Sequence, residues 1–322
     1  MVAETDHAKI VDSKTLRSDS TAAHLFLKAV RLYTFNTPIA KGKYRIYQTA
    51  LNLVKHKPKS TFACVRDGRI FEVDLTTGMQ ETLFFIGEYE RAISAIADRL
   101  ISDGDVCIDA GANFGWYTTL MSLKAGKDGE VHSFEPTPST FELLEKNRKL
   151  AVFPDRIFVN NLALGDREDK VTINVFGGQP TGHASLSAKD ECGVETFDCR
   201  MVTLDSYLEA NRVGEVAFVK VDIEGAELMF LQGAERLFKQ SVPPIFLIEM
   251  ALAQSKNFGY LPNDIIEFLR VRHAYEFYKV DEITGKLQMI DGFSAEDIGA
   301  NVFCISSEAP ECVRSVIDQF LA

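Results

Sequence analysis

Val106-Cys107-Ile108-Asp109-Ala110-Gly111-Ala112-Asn113-Phe114-Gly115-Trp116-Tyr117 is the stretch that most restricts the fold of this chain. A short apolar run with a carboxylate near its end, two glycines four apart and an apolar-periodic segment read as strand, tight turn and helix. That order is the opening of an α/β unit with a nucleotide-type pocket at the turn. Gly111 and Gly115 are expected to let backbone approach a ligand where a Cβ would collide, with the amides of the helix start free to donate.

The flanking sequence extends the pattern. Helical spacing from Thr21 to about Lys55, broken at Pro38, predicts two short helices that cap the main body, with a substrate lid or a dimer contact as the functional alternative. Asp67-Gly68 predicts a hairpin turn between Thr61–Val65 and Arg69–Asp74. A helix is expected within Glu88–Ile101, directly ahead of the strand at Val106. Strands at 130–135, 156–161, 216–221, 244–249, 275–280 and 301–305 then alternate with helices at 138–150, 226–238 and 262–272, with a short hairpin strand at 287–290. Such alternation predicts right-handed crossovers and a mostly parallel sheet with helices on both faces. Residues 165–203 interrupt it with two alternating strands, at 171–175 and 196–202, around a Gly- and Ser-rich loop, which reads as a β insertion. Residues 1–58 are expected to form a tail and helical extension, and residues 59–322 the main domain.

Composition narrows the function. A formal net charge of −11 argues against a general affinity for nucleic acid, although Lys55, Lys57 and Lys59 make a local basic patch. The six cysteines show no CxxC pair, as in a reduced cytoplasmic protein. The first residues lack the apolar core of a signal peptide, and no apolar run approaches the roughly 18 residues of a membrane span.

In an open parallel sheet, ligands sit beyond the carboxyl ends of the strands. One strand ends on Asp109 and the Gly-rich turn, and the next on Glu135. Glu135 lies 24 positions after Gly111, where an acid accepts hydrogen bonds from both ribose hydroxyls. A dinucleotide fingerprint requires G-x-G-x-x-G, and that spacing is missing here. No Gly-Lys-Ser/Thr follows to make a P-loop. Asp109-x-Gly111-x-Asn113-x-Gly115 instead places a carboxylate and an amide at the lip of the turn, suited to the zwitterionic end of S-adenosylmethionine.

With Phe134-Glu135-Pro136, Asn161-Leu162-Ala163-Leu164-Gly165 and Lys220-Val221-Asp222-Ile223-Glu224-Gly225-Ala226-Glu227, this stretch resembles the FkbM family of S-adenosylmethionine-dependent methyltransferases. Gly87-Glu88-Tyr89-Glu90 and Leu204-Asp205 fit the same pattern, and the likeness runs from about residue 60 to 306. The resemblance implies a class I, Rossmann-like sheet of seven strands with the last antiparallel, and methyl transfer to a hydroxyl of a sugar or small metabolite. It also implies that Asp109, Gly111, Asn113 and Gly115 hold the methionine end, Glu135 the ribose, and Asn161, Leu162 and Ala163 the adenine border. Tyr89 and Glu90 are expected to reach the cofactor from the preceding helix.

Strand alternation puts Lys220 and Asp222 on one face, with Asp222 and Glu224 at the strand end. Asp222 is the first candidate for orienting the acceptor hydroxyl or taking its proton; Glu224 is as well read as the cap of the following helix. Glu249, ending the next strand, and the loop histidine His183 are further candidates. A divalent ion on these oxygens is the lesser alternative, since spacing alone shows no converging ligands. A non-catalytic binding or assembly module on the same fold, a nicotinamide-dependent dehydrogenase, and a homodimer are the remaining alternatives.

Overall fold

A computed structural model describes residues 21–37, 41–176, 184–185, 194–294 and 296–321. Its strands are β1 (Thr61–Cys64), β2 (Ile70–Val73), β3 (Val106–Ala110), β4 (Glu130–Phe134), β5 (Ile157–Asn160), β6 (Ala163–Leu164) and β7 (Asp169–Phe176). They continue with β8 (Ala184–Ser185), β9 (Val194–Val202), β10 (Phe218–Val221), β11 (Ile245–Ala251), β12 (Tyr275–Asp281), β13 (Lys286–Ile290) and β14 (Gly299–Ser306).

The main sheet runs β13-β12-β14-β11-β10-β3-β4-β5. β11, β10, β3, β4 and β5 are mutually parallel, and β14 lies antiparallel between β11 and β12. Seven strands with a reversed last member were expected; the β13 hairpin adds an eighth at the edge. The central strands are apolar on both faces because helices cover both. Cys107, Phe218, Leu247 and Phe303 point into one core, and Ile108, Val219, Phe246 and Ile248 into the other. The insertion forms a second sheet, β6-β9-β7-β8, built on the expected antiparallel pair β7 and β9.

Two boundaries depart from the sequence pattern. The helix expected over 226–238 runs only from Glu227 to Gln232, followed by a 3₁₀ turn at Glu235–Lys239. Gly233 stands at the break, where a Cβ would be 2.0 Å from the Gly165 carbonyl oxygen, so the close approach requires glycine. Residues 78–86, expected only as an apolar run after a break, form a helix. Helices at Leu204–Ala210, Leu252–Asn257 and Glu311–Phe320 were not anticipated.

The N-terminal helices Thr21–Asn36 and Lys43–Leu53 pack on Gly78–Ile86. Tyr47 stacks on Phe85 with ring centroids 4.9 Å apart, and Thr34 Oγ1 donates to the Phe85 carbonyl at 2.7 Å. Parallel pairing carries the ends of β3, β4, β10 and β11 to one edge of the sheet, and the cleft lies there.

Candidate active site

A cavity of about 340 Å³ opens at that edge. Its floor is the turn after β3, and its walls come from β4, β10, β11, the insertion sheet and the segment Gly78–Glu90. Eleven of the expected site residues line it: Tyr89, Glu90, Asp109, Gly111, Asn113, Glu135, Leu162, Ala163, Asp222 and Glu224, with Glu249 from β11.

The two glycines of the turn pack closely against the rest of the protein. Gly111 has φ +81, and a Cβ on it would stand 1.8 Å from the carbonyl oxygen of Asp222. It therefore lets the turn close against the end of β10, and it lines the cavity as well. At Gly115, φ +96, a Cβ would meet Leu144 at 2.8 Å; the residue is a packing contact and does not line the cavity. Asn113 stands at φ 49, and its Oδ1 accepts from the Phe114 amide at 2.8 Å. Asn tolerates this left-handed backbone better than most residues because its side chain bonds locally.

Glu135 is buried, and its two oxygens accept the amides of Asn113 (3.0 Å) and Thr137 (2.8 Å). Burial pushes its carboxyl up to about 7, against the pull of those amide donors. Asn161 is the one adenine-border residue outside the cavity lining. Its exposed side chain donates to the carbonyls of Glu135 and Pro136, so it shapes the wall from behind. Leu162 and Ala163, with Phe134, Leu164 and Ile173, supply the apolar wall.

Opposite stands a charged cluster. Asp109 and Lys220 are direct partners across β3 and β10. One residue beyond the Val221–Ile248 pair, Asp222 and Glu249 leave adjacent strands side by side. Lys220 Nζ donates to Asp222 Oδ2 at 2.7 Å and lies 4.8 Å from the centre of the Tyr117 ring. Burial works against the lysine's charge, but Asp222, Glu90 and Asp109 outweigh it and raise its pKa. Asp109 Oδ2 accepts from Thr118 Oγ1 at 2.6 Å, while its buried Oδ1 has no hydrogen-bond partner. Glu90, held at φ 44, accepts from Tyr117 Oη at 2.7 Å, and burial raises its pKa. Asp222 first, then burial, push Glu249 up to about 9. Around one ammonium stand four carboxylates, with Glu224 also on the wall. With Glu249 protonated, Asp109, Glu90 and Asp222 make up the acidic side, and such an acid-rich lining is complementary to a cation.

The helix after β10 has Ala226 as its N-cap, with no side-chain hydrogen bond at the cap. Glu224 takes the left-handed conformation at φ 55, and Glu227 holds the loop before the helix: its Oε1 accepts the amides of Ile223 (3.2 Å) and Gly225 (3.0 Å). Tyr260 Oη sits 2.8 Å from Glu227 Oε2 and 2.7 Å from the Gly225 carbonyl. Glu227 and Tyr260 thus pin the loop that carries Asp222 and Glu224. Glu227 was legible only as an acid in a first helical turn; Tyr260 carried no signal for this role. His183 lies outside the described residues. Among the described residues, no group of three or more His, Cys, Asp or Glu side chains is placed to hold a metal ion.

Sheet order, reversed strand and strand-end cleft define a Rossmann-like α/β fold with its ligand cleft at the strand ends. The chain belongs to the Methyltransferase FkbM domain family, whose model matches residues 109–277, just over half of its length. It is 28% identical over 131 residues to the hexuronic acid methyltransferase AglP of Haloferax volcanii, covering 41% of this chain and 50% of that relative. It is 28% identical over 151 residues to Methyltransferase 1 of Beauveria bassiana, covering 41% of this chain and 59% of that protein. The matches thus span about half the length of these relatives. A crystal structure of Methyltransferase FkbM from Methylobacillus flagellatus aligns with 87% of this chain and 58% of its own at 14% identity and a TM-score of 0.41.

Proposed function

We propose that the cleft binds S-adenosylmethionine and transfers its methyl group to a hydroxyl of a saccharide or small metabolite, with residues 59–322 as the catalytic unit. The observation that carries this reading is the acid-rich lining around Lys220, of Asp109, Glu90, Asp222 and the protonated Glu249, beside an apolar wall and the Glu135 turn. S-adenosylmethionine is a cation at both its sulfonium and its ammonium, and its adenosine needs an apolar slot with a ribose acceptor nearby. The partnerless Oδ1 of Asp109 fits the ammonium, with Asn113, Tyr89 and Glu90 around the methionine end. Glu135, fixed by two amides, fits the ribose. Leu162 and Ala163 fit the adenine face. The saccharide class rests on the hexuronic acid named for the Haloferax volcanii relative.

The bound cofactor supplies an electrophilic methyl group. Asp222 holds the acceptor hydroxyl in line and takes its proton as the oxygen–carbon bond forms and the carbon–sulfur bond breaks. Lys220 balances the Asp222 charge, and Glu249 beside it donates a hydrogen bond while protonated.

Equilibrium titration with S-adenosylmethionine tests the pocket. Glu135→Ala removes the ribose acceptor and leaves two amides unpaired, so affinity should fall at least about tenfold, or ~1.4 kcal/mol. An unchanged dissociation constant sinks the assignment.

Stability should also report the Glu249–Asp222 pair. Glu249 has a folded pKa of about 9 against 4.5 for an ordinary glutamate. Between those values the native state holds a proton that the unfolded chain has released, so this group's contribution falls as pH rises through the window and levels off above it. Glu249→Gln keeps the hydrogen-bond donor without the titration. Its melting temperature should therefore gain on the parent protein from about pH 5 to about pH 8. A constant difference across that range speaks against the pairing.

A further inference from the structure

We propose that the N-terminal helical pair docks the protein on an anionic lipid surface. Residues 21–60 contain eight Lys and Arg and no Asp or Glu, in a chain whose formal net charge is −11. That segregation has no use in packing the core. Of the eight, Arg31 turns inward to the Cys64 carbonyl, Lys43 is buried and Lys57 pairs with Glu81. Lys28, Lys41, Arg45, Lys55 and Lys59 are exposed.

The same segment turns apolar side chains to solvent. Along Thr21–Asn36, Leu27 and Thr34 are buried against the body, whereas Leu25, Phe26, Ala29, Leu32 and Tyr33 are exposed. The exposed set recurs at helical spacing and forms one stripe, with Lys28 at its edge. Leu25 and Leu32 are 61 and 68% exposed, and Leu53 on the second helix is 73% exposed. A contiguous apolar stripe of this kind marks an interaction surface.

Charge decides between occupants. In a two-fold dimer the same patch meets itself, so Lys28, Lys41 and Arg45 would face their own copies with no carboxylate in the segment to neutralise them. Nucleic acid would satisfy the cations and leave the leucines and Phe26 in water. An anionic bilayer surface takes both: lipid headgroups meet the cations while Leu, Phe and Tyr enter the boundary with the acyl chains. The helix has 16 residues, short of the roughly 20 needed to span, so it lies on the surface. Both helices rest on Gly78–Ile86, whose Gly78 and Met79 line the cavity, so docking would set one cleft wall directly behind the membrane-facing pair.

Flotation of the full chain with phosphatidylcholine vesicles, with and without one part in three of phosphatidylglycerol, tests this. Binding is expected to the anionic vesicles, to weaken with added salt, and to be at least about tenfold poorer on the neutral ones. The triple variant Lys28→Gln, Lys41→Gln, Arg45→Gln should lose binding on the order of a hundredfold, at roughly fivefold per cation. Leu25→Ser with Leu32→Ser should also release the protein, and circular dichroism should show all variants folded, since these side chains are exposed. Absence of binding, equal binding to neutral vesicles, or a dimer in solution that the Leu25→Ser, Leu32→Ser variant disperses would each overturn the proposal.

Discussion

Asp222→Asn should leave S-adenosylmethionine affinity within about threefold and lower kcat by on the order of 10² to 10⁴, the range spanned by a lost general base. Asparagine retains the shape of the side chain and its contact with Lys220 Nζ, now 2.7 Å from Asp222 Oδ2. What disappears is the capacity to take a proton from an unactivated alcohol. Single-turnover measurement with saturating cofactor separates the outcomes. A normal rate constant removes Asp222 from the chemistry, whereas a loss confined to cofactor affinity makes it a binding residue. Because Glu249 stands beside it, the double variant with Glu249→Gln should show non-additive losses, as expected of groups that act as a unit.

Among the described glycines, Gly111→Ala should be the most disruptive. Its φ of +81 already disfavours a side chain, and the added Cβ would stand 1.8 Å from the Asp222 carbonyl oxygen, which is backbone and has little freedom to move. Gly104, at φ +87 with nothing within 4 Å, is the internal control for conformation alone. Gly104→Ala should cost roughly 1–2 kcal/mol, the ordinary penalty for a left-handed non-glycine residue, while Gly111→Ala should exceed about 4 kcal/mol and abolish cofactor binding. Chemical denaturation measures both. Equal costs would mean that the contact between the β3 turn and the β10 end is not what requires glycine there.

Much of the fold is written locally. Apolar runs bounded by turn residues marked the sheet strands, because a strand covered on both faces has to be apolar throughout. Pro138 and Pro262 marked helix starts to the residue, since proline suits the first helical turn and excludes what precedes it. The broken helix at 226–238 was not legible, because the contact between Gly233 and Gly165 joins residues far apart in sequence. Leu252–Asn257 is too short to show a period, whereas Glu311–Phe320, with Val313, Val316, Ile317 and Phe320 on one side, carries one.

For the cleft the division is sharper. The order of residues by itself determined an α/β sheet with Asp109, Glu135, Asp222 and Glu249 at strand ends, because side-chain period and strand length are local properties. Only the tertiary structure decided that Asp109 faces Lys220, that Glu249 stands beside Asp222, and that Glu90, expected at the cofactor, also acts on Lys220. It also showed Gly111 closing against the Asp222 carbonyl, and Glu227 with Tyr260 behind it holding the loop that carries Asp222 and Glu224. The physical reason is register: which carboxylates converge depends on how parallel strands align and which turns close upon one another, and those are long-range contacts that no local pattern encodes.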